Sequence, residues 1–268
     1  MTSSAAPIGV FDSGIGGLTV VRELIKQLPN ESIIYFGDTA RVPYGPKSPD
    51  TVIRYSREIT SFLRGEGVKA VVVACNTATA HALPALRAEN ELPIIGVIDP
   101  GSRAAAQATR TGKVGVIGTQ GTILSRAYER AITAVAPDAE ITALACPLFV
   151  PLVEEGWLDT EATRLIAKEY LDPIADAQVD TLVLGCTHYP LLKSVIGNVV
   201  GRNVRLIDSA AETAAETGAV LREHHLSHPV TDDARYRFIA SDAPEQFLRV
   251  GQRFLGAAID RVETVTLG

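Results

Sequence analysis

Short apolar runs alternate along this chain with longer segments whose apolar residues recur at helical spacing. Ile8-Gly9-Val10-Phe11, Ile33-Ile34-Tyr35-Phe36, Ala70-Val71-Val72-Val73 and the stretch from Ile94 to Ile98 are rich in β-branched and aliphatic residues. Runs of this length, bounded by Gly, Asp, Cys or Pro, predict strands buried on both faces, as in a parallel sheet. Between them, Leu18 to Gln27 (stopped by Pro29), Ser48 to Arg64 (apolar at Val52, Tyr55, Ile59, Phe62 and Leu63) and a segment after Cys75 through Leu86 predict helices. Strand and helix in alternation predict an α/β fold.

The same order returns in the second half. Val114-Gly115-Val116-Ile117-Gly118-Thr119 follows Ile8-Gly9-Val10-Phe11-Asp12-Ser13 by 106 positions. Ile141 to Cys146 follows Ile33 to Asp38 by 108, Cys186 follows Cys75 by 111, and Ile207-Asp208 follows Ile98-Asp99 by 109. Buried βα units resemble one another, but four matches at nearly one offset point to an internal repeat. The expectation is two pseudo-symmetric α/β lobes, each a mainly parallel sheet flanked by helices, with the functional site in the cleft between them. After Asp208 a helix (Ser209 to His225), a loop at His228-Pro229, a strand (Tyr236 to Ala240), a helix (Pro244 to Phe254) and a last strand (Arg261 to Leu267) have no repeat counterpart. This tail is expected to return to the first lobe. The expected division is therefore residues 1–98 plus 209–268 for a discontinuous first lobe and 99–208 for the second.

Composition narrows the function classes. The chain has 268 residues, 46% hydrophobic and 21% charged, with a net charge of −6. That charge argues against a general nucleic-acid or membrane surface. No apolar run reaches membrane-spanning length, and Met1 to Pro7 reads as a frayed tail, not a signal peptide. Three cysteines, Cys75, Cys146 and Cys186, make a disulfide framework improbable and a reducing cytoplasm the natural compartment.

Two of those cysteines end look-alike strands: Ala70 to Cys75-Asn76-Thr77 and Thr181 to Cys186-Thr187-His188. In open α/β sheets the carboxyl ends of the strands bind ligands. Free cysteines are commonly just buried, yet the matched pair suggests two thiols facing one pocket. Asn76, Thr77, Thr187 and His188 would begin helices, where amides hold a carboxylate and the helix dipole lowers a thiol pKa. Asp12 and His188 are the nearest titratable partners by repeat logic. Asp12-Ser13-Gly14-Ile15-Gly16-Gly17 is a glycine-rich turn suited to an anion, although Gly14-x-Gly16-x-x-Thr19 departs from the dinucleotide pattern. Asp38, Tyr44-Gly45, Thr119 and Glu154 are weaker candidates, and Cys146, before Pro147, reads as packing. His224, His225 and His228 read as a solvated cluster, so no metal is expected. A nucleotide- or anion-binding regulator and a thiol redox protein stay open at this level.

Taken together, Asp12-Ser13-Gly14-x-Gly16-Gly17, Gly37-Asp38, Pro43-Tyr44-Gly45, Cys75-Asn76-Thr77 and Cys186-Thr187-His188 resemble the glutamate racemases of the aspartate/glutamate racemase superfamily, in the family's order over nearly the whole chain. The resemblance implies a pyridoxal-independent racemase with no cofactor, converting L-glutamate to D-glutamate for peptidoglycan synthesis in the cytoplasm. It implies that Cys75 acts on D-glutamate and Cys186 on L-glutamate, assisted by Asp12 and His188, with Asp38 and Glu154 further out. Ser13, Tyr44, Gly45, Asn76, Thr77 and Thr187 would line the substrate site. Members of the family are often dimers, and an aspartate racemase is the nearest competing reading. The few lysines, none at a strand end of either repeat, lean away from a Schiff base.

Overall fold

The run Ile8–Asp12 forms β1, buried along its whole length because parallel neighbours flank it on both sides. The structure, a computed structural model, describes residues 3–229 and 234–267. In chain order the first part comprises β1, α1 (Leu18–Gln27), β2 (Ile33–Gly37), α2 (Pro49–Gly65), β3 (Ala70–Val73), α3 (Asn76–Glu89), β4 (Ile94–Gly96) and α4 (Ile98–Ala108). The second comprises β5 (Lys113–Gly118), α5 (Gln120–Leu124), α6 (Ala127–Val135), β6 (Glu140–Ala145), α7 (Phe149–Glu154), α8 (Glu161–Asp176), β7 (Thr181–Gly185), α9 (Lys193–Val200) and β8 (Arg205–Asp208). The tail comprises α10 (Ser209–Glu223), β9 (Tyr236–Ala240), α11 (Pro244–Leu255) and β10 (Glu263–Thr264).

The strands form two sheets, ordered β10-β9-β2-β1-β3-β4 and β6-β5-β7-β8, and every pairing is parallel. Within each sheet the four repeat strands keep one order, second-first-third-fourth, so the repeat is architectural. Helices cover the sheets, and the fold is α/β. The tail adds β9 and β10 beside β2 in the first sheet. The chain passes between the sheets through α4 and back through α10, and these two helices pack on each other. Among the described residues, no helix is long and apolar enough to cross a membrane.

Some local expectations give way. The run from Ile94 to Ile98 is a strand only to Gly96, and Ile98 opens α4. A short apolar run does not distinguish strand from helix by periodicity, and Pro100 in the first turn is compatible with a helix start. Ile98-Asp99 therefore lies on a helix where Ile207-Asp208 lies on a strand. The equivalence there belongs to β4 and β8 instead. The last strand shrinks from Arg261–Leu267 to Glu263–Thr264, the residues that pair with β9. Met1 and Thr2 lie outside the described residues. The rest of the expected frayed tail is tied down, since Lys69 Nζ donates to the Ser4 carbonyl at 2.6 Å.

Candidate active site at the facing sheet edges

In the first lobe the site begins where β1 ends. Asp12 is buried, and its carboxylate folds back over the glycine-rich turn. Oδ2 accepts the Gly17 amide at 2.6 Å and Oδ1 the Ser13 amide at 2.8 Å. The anion expected at this turn is thus the chain's own carboxylate, which occupies the start of α1 that a phosphate would need. Tyr35, fully buried, donates its hydroxyl to the Gly14 carbonyl at 2.9 Å and pins the turn from below. One strand over, Cys75 caps α3: its Sγ accepts the Ala78 amide at 3.4 Å, and Ser13 Oγ lies 3.7 Å away. The lowered pKa expected of a thiol at a helix start does not hold here. Burial pushes the Cys75 thiol well up and the Asp12 charge adds to that, outweighing the donated hydrogen bonds.

In the second lobe Cys186 occupies the corresponding position after β7, with Thr187 and His188 behind it. Here the chain runs into a single 3₁₀ turn, Tyr189–Leu192, before α9, so this cysteine does not cap an α-helix. His188 Nδ1 lies 3.9 Å from Cys186 Sγ, and Nε2 lies 3.0 Å from Glu154 Oε1. Burial favours the neutral ring, but hydrogen bonds to Cys186 and Glu154 outweigh it and raise the His188 pKa to about 10. Phe254 packs edge-on against the ring, and Arg253 Nη1 donates to the Glu154 carbonyl at 3.1 Å. Cys146 takes the place after β6 that Asp38 takes after β2: the Cys146 amide donates to Gly118 O as the Asp38 amide donates to Asp12 O. Its thiol is fully buried in the core and pushed up to about 12 by burial and by Cys186.

The two halves meet. A Cβ on Gly16 would run into Thr187 Oγ1 and the His188 ring, so only glycine allows that approach. Thr19 Oγ1 donates to the Thr187 carbonyl at 3.3 Å. On the other flank the Thr77 hydroxyl lies 2.8 Å from that of Thr119 and 3.3 Å from that of Thr122, and the Gly121 amide donates to Gly45 O at 2.9 Å. Tyr128, on α6, donates its hydroxyl to Asn76 Oδ1 at 2.7 Å, and Asn76 Nδ2 is buried without a partner among the described residues. A cleft of about 500 Å³ opens beside this seam, lined in part by Gly45, Lys47, His81, Gln120, Gly121 and Arg130.

Asp38 stands back from this meeting point. Its carboxylate is fully buried and accepts from Tyr44 Oη at 2.5 Å, Arg41 Nε at 2.8 Å and Ser241 Oγ at 3.0 Å. It anchors the loop that carries Tyr44 and Gly45. Sequence reasoning passed over Tyr35, Arg41, Thr122, Tyr128 and Ser241. Thr122 was findable from its three-residue spacing behind Thr119, a helix-cap signature. Arg41 follows Asp38 by three positions, a spacing that could have paired them; nothing local marks Tyr35, Tyr128 or Ser241, whose partners are distant in the chain. Among the described residues, no group of three or more His, Cys, Asp or Glu could hold a metal ion. What the site holds is two thiols on equivalent strand ends, one beside Ser13 and the charge of Asp12 and one beside His188, and an amide donor without a partner among the described residues.

Comparison with known proteins agrees with this geometry. A glutamate racemase from Geobacter metallireducens is 56% identical over 260 residues, covering 97% of this chain and 96% of its own. The crystal structure of a glutamate racemase isoform from Bacillus anthracis superposes with a TM-score of 0.93 at 42% identity, covering 99% of this chain and 98% of that one. That of a Francisella tularensis glutamate racemase in complex with D-glutamate gives 0.92 at 40% identity, covering 98% of both. Residues 8–217 match the Asp/Glu/Hydantoin racemase family, and the chain belongs to it.

Proposed function

We propose that this chain interconverts L- and D-glutamate without a cofactor, by proton transfer between Cys75 and Cys186. The observation that carries the reading is the pair of thiols at the ends of β3 and β7, equivalent strands of two lobes that meet where Gly16 and Thr19 abut Thr187, with Ser13 and the charge of Asp12 beside one thiol and His188, held by Glu154, beside the other. Inversion of a stereocentre needs a base on one face and an acid on the other, and a repeated fold supplies both. In the L-to-D direction Cys186, as thiolate, takes the α-proton and becomes a thiol. The electron pair of the broken C–H bond passes onto the carboxylate. The Cys75 thiol then gives its proton to the opposite face and is left as thiolate. The reverse reaction restores both sulfurs. Burial keeps Cys75 protonated at rest, as an acid for L-glutamate must be. Protonated His188 supplies positive charge beside Cys186.

Asn76, Thr77, Thr187 and Ser13 offer donors to the substrate carboxylates. They stabilise charge best as it develops in a water-poor site. Tyr44 and Gly45 close the wall, Thr119 ties it to Thr77, and Asp38 supports it. The two lobes, residues 1–98 plus 209–268 and 99–208, carry one thiol each. The product would supply D-glutamate for peptidoglycan synthesis in the cytoplasm, and the chain would work as a homodimer.

The test follows the circular dichroism of L-glutamate with dialysed protein and no added cofactor, with L-aspartate in parallel. The signal is expected to decay to zero on glutamate and much more slowly on aspartate. Cys75→Ser and Cys186→Ser are each expected to lose at least about a thousandfold in rate while keeping the fold, since both proton transfers lie on the path. A single serine variant that keeps most of the wild-type rate would sink the two-thiol mechanism.

A further inference from the structure

We infer that Tyr128 is a positioning residue for substrate recognition: its hydroxyl, reaching from the second lobe, fixes the side-chain amide of Asn76 in the first. The inference rests on the carboxylate-binding role proposed for Asn76. Tyr128 is buried, and its ring is wedged against the end of β7, where a Cβ on Gly185 would come within 2.9 Å of it. From there the hydroxyl donates to Asn76 Oδ1 at 2.7 Å. With Oδ1 accepting from Tyr128, the planar amide has one orientation, and Nδ2 is left as a donor. Nδ2 is buried and has no partner among the described residues. A buried unpaired donor in a native fold calls for a reason, and the residue that holds it is the one directly after Cys75. A bound carboxylate would satisfy it.

The arrangement crosses the lobe boundary. Asn76 begins α3 and Tyr128 belongs to α6. The amide is therefore aimed only while the lobes are together, and recognition of the carboxylate is tied to closure. Burial pushes the Tyr128 phenol far above its ordinary pKa, so it stays a donor over the whole working range.

Tyr128→Phe removes the hydroxyl and keeps the ring. The experiment compares steady-state racemisation of glutamate by wild type, Tyr128→Phe, Asn76→Ala and the double variant, with thermal unfolding of each. Tyr128→Phe is expected to raise KM and lower kcat/KM about tenfold, the loss typical of one misplaced hydrogen bond. The double variant is expected to be no worse than Asn76→Ala, because no amide is left to orient. Losses that multiply, or a Tyr128→Phe enzyme with wild-type KM, would overturn the assignment. A merely structural tyrosine would lower the melting temperature without this coupling. If Tyr128→Phe does not fold, Tyr128→Met, which also fills the site without a hydroxyl, is read in the same way: a several-fold rise in KM that vanishes in the Asn76→Ala background supports the inference, and an equal rise in both backgrounds refutes it. A wild type that fails to racemise glutamate sinks the proposed function itself. A wild type that succeeds, with Tyr128→Phe equal to it, sinks only the role of Tyr128.

Discussion

Two opposed effects act on the His188 ring. Burial disfavours the cation, and the sulfur of Cys186 and the carboxylate of Glu154 favour it enough to leave the pKa at about 10. The folded value lies above the ordinary one near 6.5. The stabilisation from this proton is therefore full below about 6.5 and is lost as pH rises through about 10. Glu154→Gln removes the charge and keeps the shape. It is expected to move the high-pH decline of kcat to lower pH by about one unit, the size of one lost carboxylate partner. A pH–rate profile of the variant measures this, and an unmoved limb would show that His188 titration does not govern it. At this scale the sequence was informative wherever a motif is local. Cys75, Cys186, Asp12 and His188 stand at strand ends that can be read from apolar runs. It was silent on Tyr128 and Ser241, which matter through partners 52 and 203 positions away. The pKa of Cys75 was misjudged for a related reason. The helix start is local, but the burial and the Asp12 charge that outweigh it are tertiary.

The turn between β1 and α1 leaves no room for a side chain at Gly16 or Gly17. Its glycines read from the sequence as an anion cradle. In the fold, Asp12 fills the cradle and the glycines serve close approach instead. Gly16 abuts Thr187 and His188 of the other lobe, and a Cβ on Gly17 would lie 2.7 Å from Asp12 Cβ and 2.9 Å from Tyr35 Oη. Gly16→Ala is expected to fold, because the clash falls on the seam between lobes and not in a core. It should lose about a hundredfold in kcat/KM, the scale on which an ångström of misplacement acts. Racemisation assays with a melting curve would separate the effects, and near-wild-type activity would mean that the seam yields. The boundaries of β1, β2, α1 and α2 were legible to within a residue, since period and caps agree, as at Ser48 before α2, while the ends of α3 and of the last strand were each missed by three residues. Sequence reasoning also failed at Ile94 to Ile98, where the run was too short to carry a period.

For the whole molecule, the repeat was legible because parallel sheets buried on both faces write themselves as apolar runs, and the return of the tail followed from its lack of a repeat partner. What holds that tail in place was not legible. Lys69 is fully buried and its ammonium sits 2.5 Å from Glu31 Oε2, while it also donates to the Ser4 carbonyl. Glu31 Oε1 in turn accepts the His228 amide at 2.8 Å. One ion pair thus gathers the N-terminal segment, the entrance to β2 and the connection leaving α10. Burial lowers the Lys69 pKa, and Glu31 only partly restores it. Removing one partner of such a pair leaves a buried charge uncompensated, at a cost of about 3 kcal/mol. Glu31→Gln is therefore expected to lower the melting temperature by about 5 °C while leaving racemisation at low temperature near wild type, because the pair contributes nothing to the cleft. The deficit should shrink as pH rises toward the ordinary lysine range: the folded state then sheds the uncompensated proton before the unfolded state does, and stability climbs with pH where the unfolded chain binds more protons. Replacing both partners together, as in Lys69→Met with Glu31→Leu, should recover much of the loss, since a packed apolar pair of similar volume is often as stable as the ion pair. Thermal unfolding of the single and double variants at two pH values measures all of this. A single variant as stable as wild type would mean that the tail is held by the β2–β9 ladder alone.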